Sequence, residues 1–137
     1  MKVDFQPNSK LTTIEKYAFL FSNIEEISVP SNLIELKERL YCNIRNLERI
    51  IISQPNGHFI FKDDKYLLGK TEPNNDNFDI LLFASRNLEE AFIPSNIKII
   101  SSYAFDSCNF KKVDFESNSN LQTIENNAFS CTCIRNI

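Results

Sequence analysis

Glycine is nearly absent from this chain of 137 residues, with 2 copies. A phosphate-binding loop brings backbone amides up to its ligand on clustered glycines, so no loop of that kind can be assembled. Histidine is scarcer still, His58 being the one copy. It stands beside Gly57 in an irregular stretch, with Asp63 and Asp64 a few residues on. Asp is favoured in such a turn for its geometry and no second His or Cys is near, so neither a metal site nor a Ser, His and Asp arrangement is expected. The 4 cysteines, Cys42, Cys108, Cys131 and Cys133, form no Cys-x-x-Cys pair and are expected as structural or free thiols. Positive charge is not in excess: the net charge is −3 and the isoelectric point about 5.2, which leaves no basic footprint for nucleic acid or an anionic membrane.

Long apolar runs are missing too. Nothing reaches the length of a membrane-spanning helix, and Met1-Lys2-Val3-Asp4-Phe5 leads into patterned sequence without a signal-peptide core. No asparagine stands two residues before Ser or Thr, so there is no acceptor for N-glycosylation. The expectation is an untargeted chain, cytoplasmic by default, with no membrane insertion, no nucleic acid partner, no cofactor and no metal.

What the chain has instead is a repeat. The stretch from Ala91 to Phe115 runs apolar-x-apolar, a polar turn, apolar-x-x-apolar-x-x-x-Ala-Phe, and another apolar residue before it restarts. Leu11 and Ile14, Leu33 and Leu36, Ile97 and Ile100, and Leu121 and Ile124 are each three apart. Phe19, Tyr41, Phe105 and Phe129 each follow five residues later. The turns before them come in two lengths: Pro30-Ser31-Asn32 and Pro94-Ser95-Asn96 are short, and those at residues 6–10 and 116–120 are two residues longer. Strand starts at Val3, Ile27, Ile50, Ala91, Val113 and Ile137 give a period in the low twenties, inside the leucine-rich-repeat range. One such unit cannot fold alone. Its few large apolar residues contribute roughly 1.5 to 3 kcal/mol each on burial, against about 1 to 2 kcal/mol for ordering each of its two dozen residues. A neighbour on each face is needed, which is the logic of a solenoid.

The runs IPSNIKIISSYAFDSCNFKKVDF and NLQTIENNAF resemble the BspA-like leucine-rich repeats, with their Leu-x-x-Ile-x-x-x-Ala-Phe-x-x-Cys-x-x-Leu-x-x-Ile-x-Ile-Pro core. The resemblance covers residues 3 to 52 and 88 to 137. The middle, about 54–87, resembles a hairpin-bearing variant unit. Cys108 alone fills the Cys slot, taken elsewhere by Ser22 and Thr132, and the second copy has Tyr41 for Phe. The resemblance implies a right-handed leucine-rich-repeat solenoid of short strands and short helical or 3-10 turns, with a parallel sheet along its length. It also implies protein binding, as in surface antigens and adhesion proteins of anaerobic bacteria and parasitic protists, and no catalysis.

Residues 1–137 are long enough for one domain with a sizeable core, so a single solenoid domain is expected. In each coil the Ala-Phe step makes a bend, read as a single helical or 3₁₀ turn, and the four aromatics should stack as a buried column. Asn32, Asn96 and Asn118 lie in turns where asparagine tolerates left-handed backbone. From Gln54 the repeat breaks at Pro55-Asn56-Gly57. Phe59 to Phe61 and Tyr66 to Leu68 then read as a hairpin, followed by a polar segment from Thr71 to Asn77 expected to be the most mobile.

Strand alternation places Asp4, Ser28, Ile51, Phe92 and Asp114 outward, with Lys2, Glu26, Arg49, Glu90 and Lys112 on the same face two residues before. The expected protein-binding set is Asp4, Ser28, Arg49, Ile51, Glu90, Phe92, Lys112 and Asp114, an apolar centre at Ile51 and Phe92 inside a charged rim. The alternative is a structural piece of a longer repeat array with no site of its own. With open edges at both ends, self-association or docking of flanking repeats is also expected.

Overall fold

The structure, a computed structural model, describes residues 1–37, 39–52 and 55–134. The expected strand start at Ile137 and the break at Gln54 lie outside the described residues. Each regular coil contributes two short strands to a parallel solenoid. On the first ladder β1 (Lys2–Val3), β3 (Glu26–Val29) and β5 (Arg49–Ile52) pair in register, Val3 with Ile27 and Ile27 with Ile50. Further along, β9 (Ala91–Ile93) pairs with β11 (Val113–Phe115), Ala91 opposite Val113. These are the positions at which the repeat period restarts.

The second ladder joins β2 (Thr13–Ile14) to β4 (Glu35–Leu36), and β8 (Ile80–Ala84) to β10 (Ile99–Ile100) and β12 (Thr123–Ile124), again parallel. Between these stretches stands an antiparallel hairpin, β6 (Ile60–Lys62) and β7 (Tyr66–Gly69), with β7 pairing β8. Its turn has Asp63 and Asp64 both in the left-handed region, at φ 56° and 54°, the geometry of a type I′ hairpin turn. All four residues of β7 are buried. Leu67 and Phe83 pack into a core with Ile14, Ile27, Leu33, Leu47 and Ile50, whereas Tyr66, Leu68 and Leu81 pack into one with Ile93, Ile97, Ile100, Phe105 and Phe110. The hairpin is therefore a wall between two cores, and the parallel ladder along the length is laid in two stretches on either side.

The bends differ from the expected helical turns: among the described residues there is no helix. Each bend is a chain of β-turns. In the first, the amide of Ala18 donates to Glu15, that of Leu20 to Tyr17 and that of Ser22 to Phe19. Tyr17 and Phe21 sit at φ 62° and 56°, and Arg39 and Asn43, Tyr103 and Ser107, and Asn127 and Cys131 repeat the pair. A left-handed residue every fourth position reverses the chain before a helix can propagate, at roughly 1–2 kcal/mol for each non-glycine residue.

Asparagine works differently from expectation as well. Asn118 is left-handed at φ 61°. Asn32 and Asn96 instead donate side-chain amides across to the preceding coil, to the carbonyls of Ser9 and Phe78 at 2.8 and 2.7 Å. Asn56 and Asn120 do the same to Leu33 and Ser95. These amides stitch turn to turn where the ladders end.

The aromatic column is split by the wall. Phe105 and Phe129 stack at 4.9 Å with rings 4° from parallel, while Tyr41 lies 5.0 Å from Phe83 on the other side. Phe19 is partly buried against the N-terminal core. The Tyr41 hydroxyl is buried without a partner among the described residues, and burial pushes its pKa well above the phenol range. An unpaired buried hydroxyl costs about 1–3 kcal/mol. Tyr41→Phe, which restores the residue of the other copies, is expected to stabilise the fold by about 1 kcal/mol, read as a melting temperature a few degrees higher. A lower melting temperature would show that the hydroxyl is satisfied.

Candidate functional site

The first ladder carries the expected stripe, and pairing register sets what each member touches. Lys2, Glu26 and Arg49 lie opposite one another, and Glu26 receives Lys2 at 3.5 Å and Arg49 at 3.7 Å. Ser28 donates its hydroxyl to Asp4 at 2.5 Å and lies opposite Ile51, which is half-buried. Phe92 lies opposite Asp114, and Lys112 pairs with Asp114 at 3.2 Å. Glu90 is exposed at the head of β9. The Lys112–Asp114 pair is exposed on both sides and worth about 1 kcal/mol or less, whereas the Glu26 carboxyl is largely buried beneath its two exposed cations.

Ile51 and Phe92 do not adjoin. The hairpin comes between them: β5 packs on β6, and Tyr66 of β7 hydrogen-bonds the backbone of Phe92 through its hydroxyl, donating to the carbonyl at 3.3 Å and accepting from the amide at 3.1 Å. Burial raises the Tyr66 phenol, so it holds its proton across the physiological range. Phe92 is 56% exposed, the largest exposure of any apolar side chain in a ladder strand. With Tyr66, Pro94, Lys62, Lys65 and Glu116 it lines a recess of about 220 Å³. Backbone and side-chain hydrogen bonds from Ser95 hold the Glu116 carboxyl below the usual carboxylate range. Lys62, Lys65, Tyr66 and Glu116 were not part of the sequence-derived set, because only the hairpin's path through the solenoid brings its tip to this face.

Another residue escaped sequence reasoning. Arg86 is buried, 5% exposed, and all five of its N–H groups donate to carbonyl oxygens. These are Ile44 and Tyr41 from the second coil, Ala84 from its own, and Ala104 and Tyr103 from the next. Its guanidinium lies 4.7 Å from the Phe83 ring centre and 3.8 Å from the Cys108 sulfur. Burial lowers its pKa, against the proximity of Cys108 and Asp106. The signal was its position: counting back two from Leu88, as Cys108 counts back from Phe110, Arg86 fills the slot reserved for a small buried residue.

The polar segment from Thr71 to Asn77 is anchored at Thr71 and Asn75. Asp79, 1% exposed, accepts from the Thr71 amide and hydroxyl at 2.8 and 2.7 Å, from Asn75 at 3.0 Å and from Lys98 at 3.3 Å. Burial raises its carboxyl, but Thr71 and Lys98 outweigh that and leave the pKa below the usual value. Cys42 and Cys108 are buried free thiols and Cys131 and Cys133 exposed ones. Among the described residues no helix is long and apolar enough to cross a membrane, and no group of three or more His, Cys, Asp or Glu is placed to hold a metal ion.

The sequence pattern of the family described as BspA type leucine rich repeat region matches residues 2–65 and 76–137, in six copies. Comparison with curated proteins gives no match. Among solved structures, a leucine-rich repeat protein from Eubacterium ventriosum superposes with a TM-score of 0.79 at 24% identity over 94% of this chain. The chain spans 33% of that protein's length, and at this identity the likeness shows the fold.

Proposed function

The chain belongs to the BspA-type leucine-rich-repeat family, and on that premise we propose that it is a non-catalytic module that binds another protein through its first ladder, in a surface-antigen or adhesin-like role. Leucine-rich repeats of this kind are protein-interaction units. The observation that carries the reading to this face is Phe92. An exposed aromatic on a rigid strand, standing in a recess with charged residues around it, has the make-up of an interface centre with a polar rim. The contact set is Asp4, Ser28, Arg49, Ile51, Glu90, Phe92, Lys112 and Asp114, now widened by Lys62 and Lys65 at the hairpin tip and by Glu116 directly after β11. No metal, nucleotide or nucleic acid enters the reading.

Changing Ile51 and Phe92 together to Ser should lower stability by about 1 kcal/mol and leave the protein folded, since Phe92 is exposed and Ile51 is half-buried and gives up only part of the contribution of a buried side chain. The same change should remove the proteins that the parent retains specifically from a cell extract. Retention of the same set by the folded double variant would move the site off this face. A structural piece of a longer array, with no site of its own, predicts that neither protein retains anything.

A further inference from the structure

We propose that the second ladder holds a vacant strand position between β4 and the hairpin, and that it accepts an extended segment of a partner protein running parallel to β4. This does not rest on the first-ladder reading, because the groove lies on the other ladder.

Within the second ladder one rule recurs: one carbonyl receives two successive amides of the next coil, and the carbonyl two residues on receives a third. Thr12 receives Ile34 and Glu35, and Ile14 receives Lys37. Asp79 receives Lys98 and Ile99, and Leu81 receives Ser101. Lys98 receives Gln122 and Thr123, and Ile100 receives Glu125. Register makes Ile34 and Leu36 the equivalent carbonyls of the second coil. Among the described residues, no amide reaches either one.

The cause is Asn56. Its side-chain amide still reaches back to Leu33 at 2.9 Å, as in a regular coil, but its carbonyl oxygen accepts from the amides of His58 and Phe59 at 3.0 and 3.2 Å. Gly57 adopts φ 74° between them. This side-chain turn diverts the chain inward to build the hairpin, so the strand that should follow β4 is never laid. A groove of about 380 Å³ remains, lined by Ile34, Leu36, Phe59, Ile80 and Leu82 among others.

One substitution in the repeat suits the groove to an apolar occupant. The position of Ile34 is held by Thr12, Asp79, Lys98 and Gln122 in the other coils, and Ile34 is 55% exposed. The occupant is set by what the edge lacks. It must present amides at positions n, n+1 and n+3, which an extended peptide does and a small ligand does not, with apolar side chains at n−1 and n+2 as in Leu33 and Leu36. The ladder already runs parallel on both sides, β2 with β4 and β8 with β10, so such a segment continues it.

The probe is a labelled, end-capped peptide of residues 95–102, Ser-Asn-Ile-Lys-Ile-Ile-Ser-Ser, titrated with the protein by fluorescence anisotropy. Saturable binding is expected. It should weaken by about tenfold or more when proline replaces the residues equivalent to Ile99 and Ser101, which removes two donors, and likewise in the Ile34→Glu protein. Ile124→Glu, beside the equivalent carbonyls on β12, should leave it unchanged. Absence of saturable binding, indifference to the prolines, or loss with Ile124→Glu in place of Ile34→Glu would each overturn the proposal. The proline peptides decide the matter even if Ile34→Glu proves unstable.

Discussion

Replacing Arg86 with alanine is expected to cost about 3–5 kcal/mol, a large part of the 5–15 kcal/mol that holds a domain of ordinary stability folded. The five carbonyls it serves belong to three coils; those of Tyr103 and Ala104 also accept the amides of Asp106 and Ala84, but those of Ile44, Tyr41 and Ala84 lie in buried contacts and would lose the arginine N–H with no backbone amide among the described residues to replace it. Two variants separate its roles. Arg86→Met keeps much of the volume against Phe83 and should still lose most of the stability, since an unpaired buried acceptor costs about 1–3 kcal/mol. Arg86→Lys keeps the charge but offers three donors from a point where five are used in a planar fork, and should recover only part. Urea unfolding of the three checks this. A methionine variant as stable as the parent would mean that Arg86 acts by packing alone.

Phe105→Ala should be as damaging, at about 3–5 kcal/mol, for the opposite chemical reason. Phe105 is fully buried, with Phe129 stacked on it from the next coil, Phe110 edge-on at 5.5 Å and Tyr66 of the hairpin at 6.3 Å. The cavity would therefore touch three separate elements. The same change at Phe19, which is only partly buried, should cost less than half as much. Thermal unfolding of both variants tests the ranking. Equal losses would mean that the two bends are equivalent, against the split column that the hairpin imposes.

How these elements show in the sequence follows from their physics. The register of Val3, Ile27 and Ile50, and of Ala91 and Val113, is visible because a solenoid buries one face of every coil and so repeats its apolar residues at a fixed interval. The hairpin is visible because Pro55-Asn56-Gly57 punctuates it and apolar residues fill both strands. Its direction is not visible. That Tyr66 would cross to the first ladder and divide the core depends on where β8 stands, which no local pattern records.

The bends misled because Tyr17, Arg39 and Tyr103 have no preference for left-handed backbone; the aromatic two residues on, Phe19, Tyr41 or Phe105, packs into the core and holds the turn against that preference. Of the candidate site, the outward stripe was legible from alternation alone. The separation of Ile51 from Phe92 was not, since it depends on the hairpin. Arg86 was half legible, as a charge standing where the repeat puts a small buried residue, and that mismatch is the pattern to look for in similar chains.

We propose that residues 1–137 behave as a single domain, with two cores made into one solenoid by the hairpin wall and the arginine behind it, so that the first ladder presents a rigid face. Native-state hydrogen exchange tests this most directly, comparing the Glu48 amide on the N-terminal side, 2.9 Å from the Glu25 carbonyl, with the Ser101 amide on the C-terminal side, 2.9 Å from that of Leu81. Both should open only with global unfolding and so report the same free energy, equal to that from urea unfolding. If one exchanges through its own opening, lower than the other by about 2 kcal/mol or more, the halves fold separately and the face that spans them is not one surface.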